Sequence, residues 1–240
     1  MYRLIKLLFI VTSIILSAWL FIMIPHLRIQ TITISQSKYL PPQQVEQVFS
    51  PLKGKHYLAL FLSKTFFNAV QSDYLFINSI DHQFVFPSSL RIQLHEKEPV
   101  YSFVTETASF FVSKEGIILN HYVENVSNDN MSSLVIVKGI PRQVFNSAVV
   151  ESGIMDQLNE IVRNMTLYFP NQSVQVEFNP PFNLTLYMND HLEIKLGTMD
   201  YLDIKFTHLD QFLAYYKQPI SELRYIDLRV EDRIIVGMED

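Results

Sequence analysis

Eighteen consecutive residues without a charge, Leu7 to Ile24 (LLFIVTSIILSAWLFIMI), constrain this chain more than any other feature. As a helix the stretch is about 27 Å long, close to the hydrocarbon thickness of a bilayer. Arg3 and Lys6 precede it. Basic residues on a short N-terminal flank hold that flank in the cytoplasm and send the rest of the chain outside. Trp19 falls in the outer part, where an interfacial ring is favoured, and Pro25 ends the helix. A cleaved signal peptide has a shorter apolar core followed by a small-x-small site. Here large residues run from Trp19 to Ile24 instead. The expectation is a single-pass type II anchor over residues 7–24 in the lipid bilayer, with a cytoplasmic tail over 1–6.

The remaining chain excludes several function classes. With Arg3 and Lys6 set aside, 17 basic residues face 24 acidic ones, a formal charge of −7. That balance argues against nucleic acid as a partner, because phosphate binding needs a basic face. There is no cysteine, so disulfide frameworks, thiolate metal sites and cysteine nucleophiles are absent. The six glycines are dispersed, which leaves no phosphate-cradling loop. None of the seven histidines has a second histidine four residues on, and neither HExxH nor GxSxG occurs. Neither a catalytic, a cofactor-binding nor a metal-ligating set emerges. Five N-x-[S/T] triplets, at Asn125, Asn130, Asn164, Asn171 and Asn183, would be glycosylation acceptors in a eukaryotic secretory pathway. Polar loops also produce such triplets by chance.

Periodicity divides the exported part in two. RIQTITIS reads as a strand from about Arg28. KYLPPQQVEQVFS places a proline pair at a helix entrance, with Val45, Val48 and Phe49 inward. SKTFFNAVQS is a second short helix with Phe66, Phe67 and Val70 inward. INSIDHQFVF and SLRIQLHE are strands joined by a Pro87-Ser88-Ser89 turn. The order is β-α-α-β-β over residues 27–98. Short strands follow over residues 99–240: YSFVTE, SFFV, IILNHYV after a turn at Lys114–Gly116, LVIVKGIP, VQVEF, LTLYM and LEIKL. Amphipathic helices fall at 149–167 and from about Met199 to Tyr216. RYIDLRVEDRIIV closes as strand, turn and strand. The fold class is α+β, a mixed β domain with two flanking helices.

The stretch LHEKEPV, Leu94 to Val100, concentrates a histidine, glutamates and a lysine. On a strand His95 and Glu96 point to opposite faces, so they do not chelate one ion. Leu90, Ile92 and Leu94 face the core, while His95 and Lys97 face solvent. Glu98 precedes Pro99 and is held extended. The cluster reads as the polar end of a strand.

These residues resemble the bacterial cell division protein family FtsQ/DivIB. FPSSLRIQLHEKEPV is similar to the family's aromatic-Pro turn, alternating strand and Glu-x-x-Pro, with Phe86, Pro87, Glu96 and Pro99 in place. VSKEGIIL carries its glycine after a charged pair. LEIKLGTMDYLDIKFTHLDQFL is similar to its strand-Gly-helix. YIDLRVEDRIIVG is similar to its terminal signature through Asp227, Leu228, Arg229, Val236 and Gly237. The resemblance implies that residues 27–98 are a POTRA domain. It also implies a non-enzymatic scaffold of the divisome in the bacterial inner membrane, working at the septum. Implied partners are the small coiled-coil proteins FtsB/DivIC and FtsL, with other division proteins reached through the POTRA domain.

A chain that finishes on strand-turn-strand can leave a sheet edge with free N–H and C=O groups, open to a partner strand. The residues assigned to that edge are Arg229, Val230, Glu231, Asp232, Arg233, Ile234, Ile235, Val236 and Gly237. Val230, Ile234 and Val236 suit one face, and Arg229, Glu231 and Arg233 the other. The competing readings are a membrane-anchored extracytoplasmic hydrolase and a eukaryotic type II glycoprotein, the latter resting on the triplets alone.

Overall fold

Polar–apolar alternation becomes sheet, and 3.6-residue spacing becomes helix, in two separate compact units, residues 1–97 and 98–240. The structure, a computed structural model, describes residues 2–22, 27–60, 64–106, 108–119, 134–146, 148–179, 183–189, 191–230 and 233–238. Parts of the sequence reading fall outside these residues, among them residues 23–24 of the expected anchor, the end of IILNHYV, the polar loop at 124–133, and Glu231 and Asp232.

The first unit starts with α1 (Tyr2–Ile22), 21 residues long. Its described side chains, Phe9, Ile10, Val11, Ile14 and Ile15 among them, are exposed. Over the residues described in full, no helix is long and apolar enough to cross a membrane. The side chains of residues 18–26 lie outside the description. Then come β1 (Thr31–Ile34), α2 (Pro42–Phe49), α3 (Lys64–Asp73), β2 (Ile77–Val85) and β3 (Ser89–Glu96). β3 is central, with β1 parallel on one side and β2 antiparallel on the other. Pro42 starts α2, where its missing N–H costs nothing. Val45 and Phe49 from α2 and Phe67 and Val70 from α3 are buried with Leu90 and Ile92 of β3. Val48, Phe66 and Leu94 are only half-buried, because short helices on a three-stranded sheet cannot cover a full stripe. The Phe86–Pro87 peptide in the β2–β3 turn is cis.

The second unit holds β4 (Pro99–Val104), β5 (Ser109–Ser113), β6 (Val135–Lys138), a small ribbon of β7 (Phe145–Asn146) and β8 (Val149–Val150), and α4 (Ser152–Tyr168). These are followed by β9 (Val174–Asn179), β10 (Asn183–Met188), β11 (Leu192–Gly197), α5 (Leu202–Tyr215), β12 (Leu223–Asp227) and β13 (Ile235–Met238). Eight strands form one mixed sheet in the order β13-β12-β11-β10-β9-β6-β4-β5. The fold is α+β. The parallel neighbours β6/β9 and β11/β12 are joined through α4 and α5 respectively. A parallel pair needs such a crossover.

Both helices pack on the same sheet face. Tyr168 of α4 donates its hydroxyl to the Phe206 carbonyl of α5 at 3.3 Å, and Leu158, Ile161, Phe206 and Leu209 share one core with Val176, Leu186, Ile194 and Ile226. Strict alternation carries this: Val174, Val176 and Phe178 are buried on β9, while Gln175, Glu177 and Asn179 stand on the other face. Tyr101 is fully buried, and its hydroxyl meets Asn159 Oδ1 at 2.7 Å. Burial pushes its phenol pKa up to about 12.

Of the expected strand IILNHYV, Ile117 and Ile118 form single bridges to Val149 and Val112, respectively, and residues 120–123 lie outside the described residues.

Candidate partner-binding edge

A sheet of eight strands has two ends. At the β5 end the chain doubles back: Leu119 N–H donates to Phe111 O at 2.8 Å, and Ser113 N–H to Ile117 O at 2.9 Å. That return covers much of the outer side of β5. At the other end β13 pairs with β12 alone among the described residues. Its register is Leu223 with Met238, Tyr225 with Gly237, Ile226 with Val236 and Asp227 with Ile235. Among the described residues, the open edge of the unit is therefore β13.

The sequence reading extended this edge from Arg229 to Gly237, and the strand is shorter. It starts at Ile235 and ends at Met238. Arg229 and Val230 belong to the connection, Arg233 and Ile234 lead into the strand, and Glu231 and Asp232 fall outside the described residues. The physical cause is Asp227. Its carboxylate, with the side chain 9% exposed, accepts from Arg229 N at 3.0 Å, from Nε at 2.9 Å and from Nη2 at 2.5 Å. The backbone is thereby turned immediately after β12, and Arg229 folds back rather than projecting from an outer strand face. The Arg229 hydrogen bonds hold the Asp227 carboxyl below its ordinary pKa, against the effect of its burial.

Two glycines make room here. Gly197 ends β11 at φ +72°, and a Cβ there would sit 3.0 Å from Arg229 Cγ. At Gly237 a Cβ would fall 2.2 Å from Tyr225 Cε1. The Tyr225 ring therefore lies flat across the edge strand, and Lys195 Nζ stands 4.3 Å above the ring centroid. On the same open sheet face, burial and then the Glu177 and Glu193 carboxylates push the Tyr187 phenol up.

Beside the edge, α5 carries a stripe that the sequence reading missed. Of the residues whose spacing marks this helix, Leu202, Phe206 and Leu209 are buried, and Met199, Leu213 and Tyr216 are partly buried against the same core. A second set, Tyr201, Ile204, His208, Gln211 and Tyr215, recurs at three- and four-residue spacing, with Tyr201, Ile204 and Tyr215 exposed. It borders two cavities. One, of about 560 Å³, lies against Gly197, Arg229 and Val230. The other, of about 470 Å³, lies between Phe212, Tyr215 and Tyr216 on one side and Arg233 and Ile234 on the other. The signal was present as apolar residues on more than one helix face.

The LHEKEPV residues have separate partners. His95 Nε2 lies 2.9 Å from Asp81 Oδ2 across the β2–β3 pair. Glu96 accepts from the Ser37 hydroxyl and, at 2.8 Å, from Lys38 N–H.

No curated protein matches the chain at a significant level. Among solved structures it is similar to the N-terminal domain of Omp85 from the thermophilic cyanobacterium Thermosynechococcus elongatus. That match has 14% identity, covers 68% of this chain and 66% of that chain, and has a TM-score of 0.28, too low to carry an argument. Residues 104–229 match the family "Cell division protein FtsQ/DivIB, C-terminal", which is more than half of the chain. This chain is a member of the FtsQ/DivIB family of cell division proteins.

Proposed function

We propose that the protein is a non-enzymatic, single-pass scaffold of the bacterial divisome. Residues 7–24 anchor it in the inner membrane, residues 27–98 form a POTRA domain outside the cytoplasm, and residues 99–240 form the partner-binding domain at the septum. A coiled-coil division protein of the FtsB/DivIC or FtsL kind adds a strand to the outer side of β13. Main-chain hydrogen bonds supply the affinity, and the side chains around them supply selectivity. Beside the strand, the α5 stripe gives an amphipathic segment a surface on which to continue.

The observation that carries this reading is the contrast between the two sheet ends, one covered by its own chain and the other, among the described residues, bare. The proposed binding region spans Arg229 to Gly237, with Ile235, Val236 and Gly237 in the strand. A photo-crosslinking side chain at Ile235 or Met238 tests it, with Phe110 on β5 as the control. Adducts with the coiled-coil partner in dividing cells are expected from β13. Adducts from Phe110 alone would contradict the assignment.

A further inference from the structure

The first unit is polarised along its strands. β1 runs parallel to β3 with Thr31 beside Ser89, so the point where the chain enters the unit lies level with the β2–β3 turn. Gln30 N–H donates to Ser88 O at 2.8 Å, Ile29 N–H to Lys55 O at 2.9 Å, and Gly54 N–H to Ile29 O at 2.8 Å. The entry segment, the Phe86–Ser88 turn and the 53–56 loop thus form one end of the unit. At the other end Glu96 is held by Ser37 and Lys38, and Tyr39 donates its hydroxyl to Lys97 O at 2.7 Å.

The two ends differ in chemistry. The entry end presents Arg28, Lys53, Lys55 and the first residue of α3, Lys64, all exposed. No aspartate or glutamate occurs from Gln47 to Ser72, from Leu27 to Val45, or from His82 to His95. Glu46, bound by Lys53 Nζ at 3.1 Å, is the one acid of α2. The acids Asp73 and Glu96 lie towards the far end, and Asp81 midway along β2. At the tip of the basic end Phe86 is 76% exposed, with Leu58, 39% exposed, in the neighbouring loop. A phenylalanine so exposed forgoes the transfer free energy that burial would give it.

Position supplies the occupant. Only residues 23–26 separate the end of α1 from Leu27. Fully extended, that connection reaches at most about 18 Å. If α1 is the anchor, as proposed above, the basic end with its exposed aromatic is tethered within about 18 Å of the anchor's outer end.

We propose that this end of the first unit docks on the membrane. Phe86 enters the interfacial layer, and Arg28, Lys53 and Lys55 sit over anionic lipid headgroups. Aromatic rings favour that layer, and each basic residue near an anionic surface adds attraction. The acidic far end is turned away from the membrane by the same field. Docking fixes the height and tilt of the unit above the anchor.

The test uses the full-length chain in vesicles of phosphatidylcholine, with or without phosphatidylglycerol. The sequence has no cysteine, so Ser88→Cys at the tip and Gln44→Cys at the far end each carry one fluorophore. A headgroup-level lipid quencher reads their depth, and the sole tryptophan, Trp19, reads the anchor separately. The expected result is much stronger quenching at position 88 than at 44, strongest with phosphatidylglycerol. Phe86→Ser should weaken it, and Arg28→Gln, Lys53→Gln and Lys55→Gln should each reduce docking about fivefold. Equal quenching at the two positions while Trp19 is quenched overturns the proposal and leaves the anchor standing. Shielding of position 88 from aqueous iodide without lipid quenching indicates a protein contact and also overturns it. An unquenched Trp19 overturns the anchor reading and this proposal with it.

Discussion

Arg229 folds back onto Asp227, two residues earlier, and places Nη2 2.5 Å from Oδ2 while its own N–H meets Oδ1 at 3.0 Å. The pair is the hinge on which the edge strand swings back along β12. The first prediction follows from its charge. Asp227→Asn should cost about 1–2 kcal/mol, since it weakens charge-assisted hydrogen bonds to a nearly buried group. The folded-state pKa of Asp227 is depressed. Its contribution is therefore complete above the ordinary value of about 3.9 and is lost as pH falls through the lower folded value. Melting temperatures across that range should show wild type and Asp227→Asn converging in acid. A constant gap would deny the pair its role.

Gly237→Ala addresses the other side of the strand. The new methyl group would displace the Tyr225 ring and with it the Lys195 contact. Overpacking of this kind costs about 1–3 kcal/mol. The expected outcome is a lower denaturation midpoint and weaker partner binding. Tyr225→Ala in the same chain should recover much of the lost stability, and no recovery would place the conflict elsewhere.

At the end of β3, side chains that look alike in sequence should behave differently. His95→Ala removes an exposed pair with Asp81 and should change stability by less than about 1 kcal/mol. Glu96→Ala leaves the Lys38 N–H and the Ser37 hydroxyl without their acceptor and should cost more, about 1–3 kcal/mol. Ile92→Asp places a charge at a site 1% exposed and should unfold the unit, whereas Leu94→Asp, at a half-buried site, should destabilise it less. Urea titration of the four variants gives the order, and His95→Ala proving the most harmful would reverse it.

The type II reading has its own check. A reporter enzyme active only outside the cytoplasm, fused after Asp240, should be active, and a cytoplasm-only reporter silent. The mature chain should keep its residues before Trp19. The opposite reporter pattern would invert the topology.

The sheets were legible in the sequence because alternation is a period-two signal that burial on one face enforces. Val174, Val176 and Phe178, and Leu184, Leu186 and Met188, show it plainly. The start of the edge strand was harder to read: apolar Val230 and Ile234 stand among charged residues, and Arg229, Val230, Arg233 and Ile234 all lie outside a strand. There the deciding force is a carboxylate–guanidinium pair two residues apart, which hydropathy does not register. The α5 stripe was hidden for a related reason: its apolar residues lie on two faces, and the core claims only one of them. The polarity of the first unit was also out of reach. Lys53, Lys55 and Phe86 are far apart in sequence, and only the parallel register of β1 with β3 brings them to one end.

The central claim is strand addition at β13, and proline substitution measures it most directly. Along an edge strand N–H groups point alternately to the neighbour and to the outside, and proline removes one. The scan belongs at Ile235, Val236 and Met238, because Arg233 and Ile234 precede the strand. Binding of each full-length variant to its coiled-coil partner is titrated, with circular dichroism reporting the fold. The account predicts alternation. At outward N–H positions binding is lost and the fold kept, while at inward positions the melting temperature falls. Wild-type affinity in every folded proline variant would contradict it.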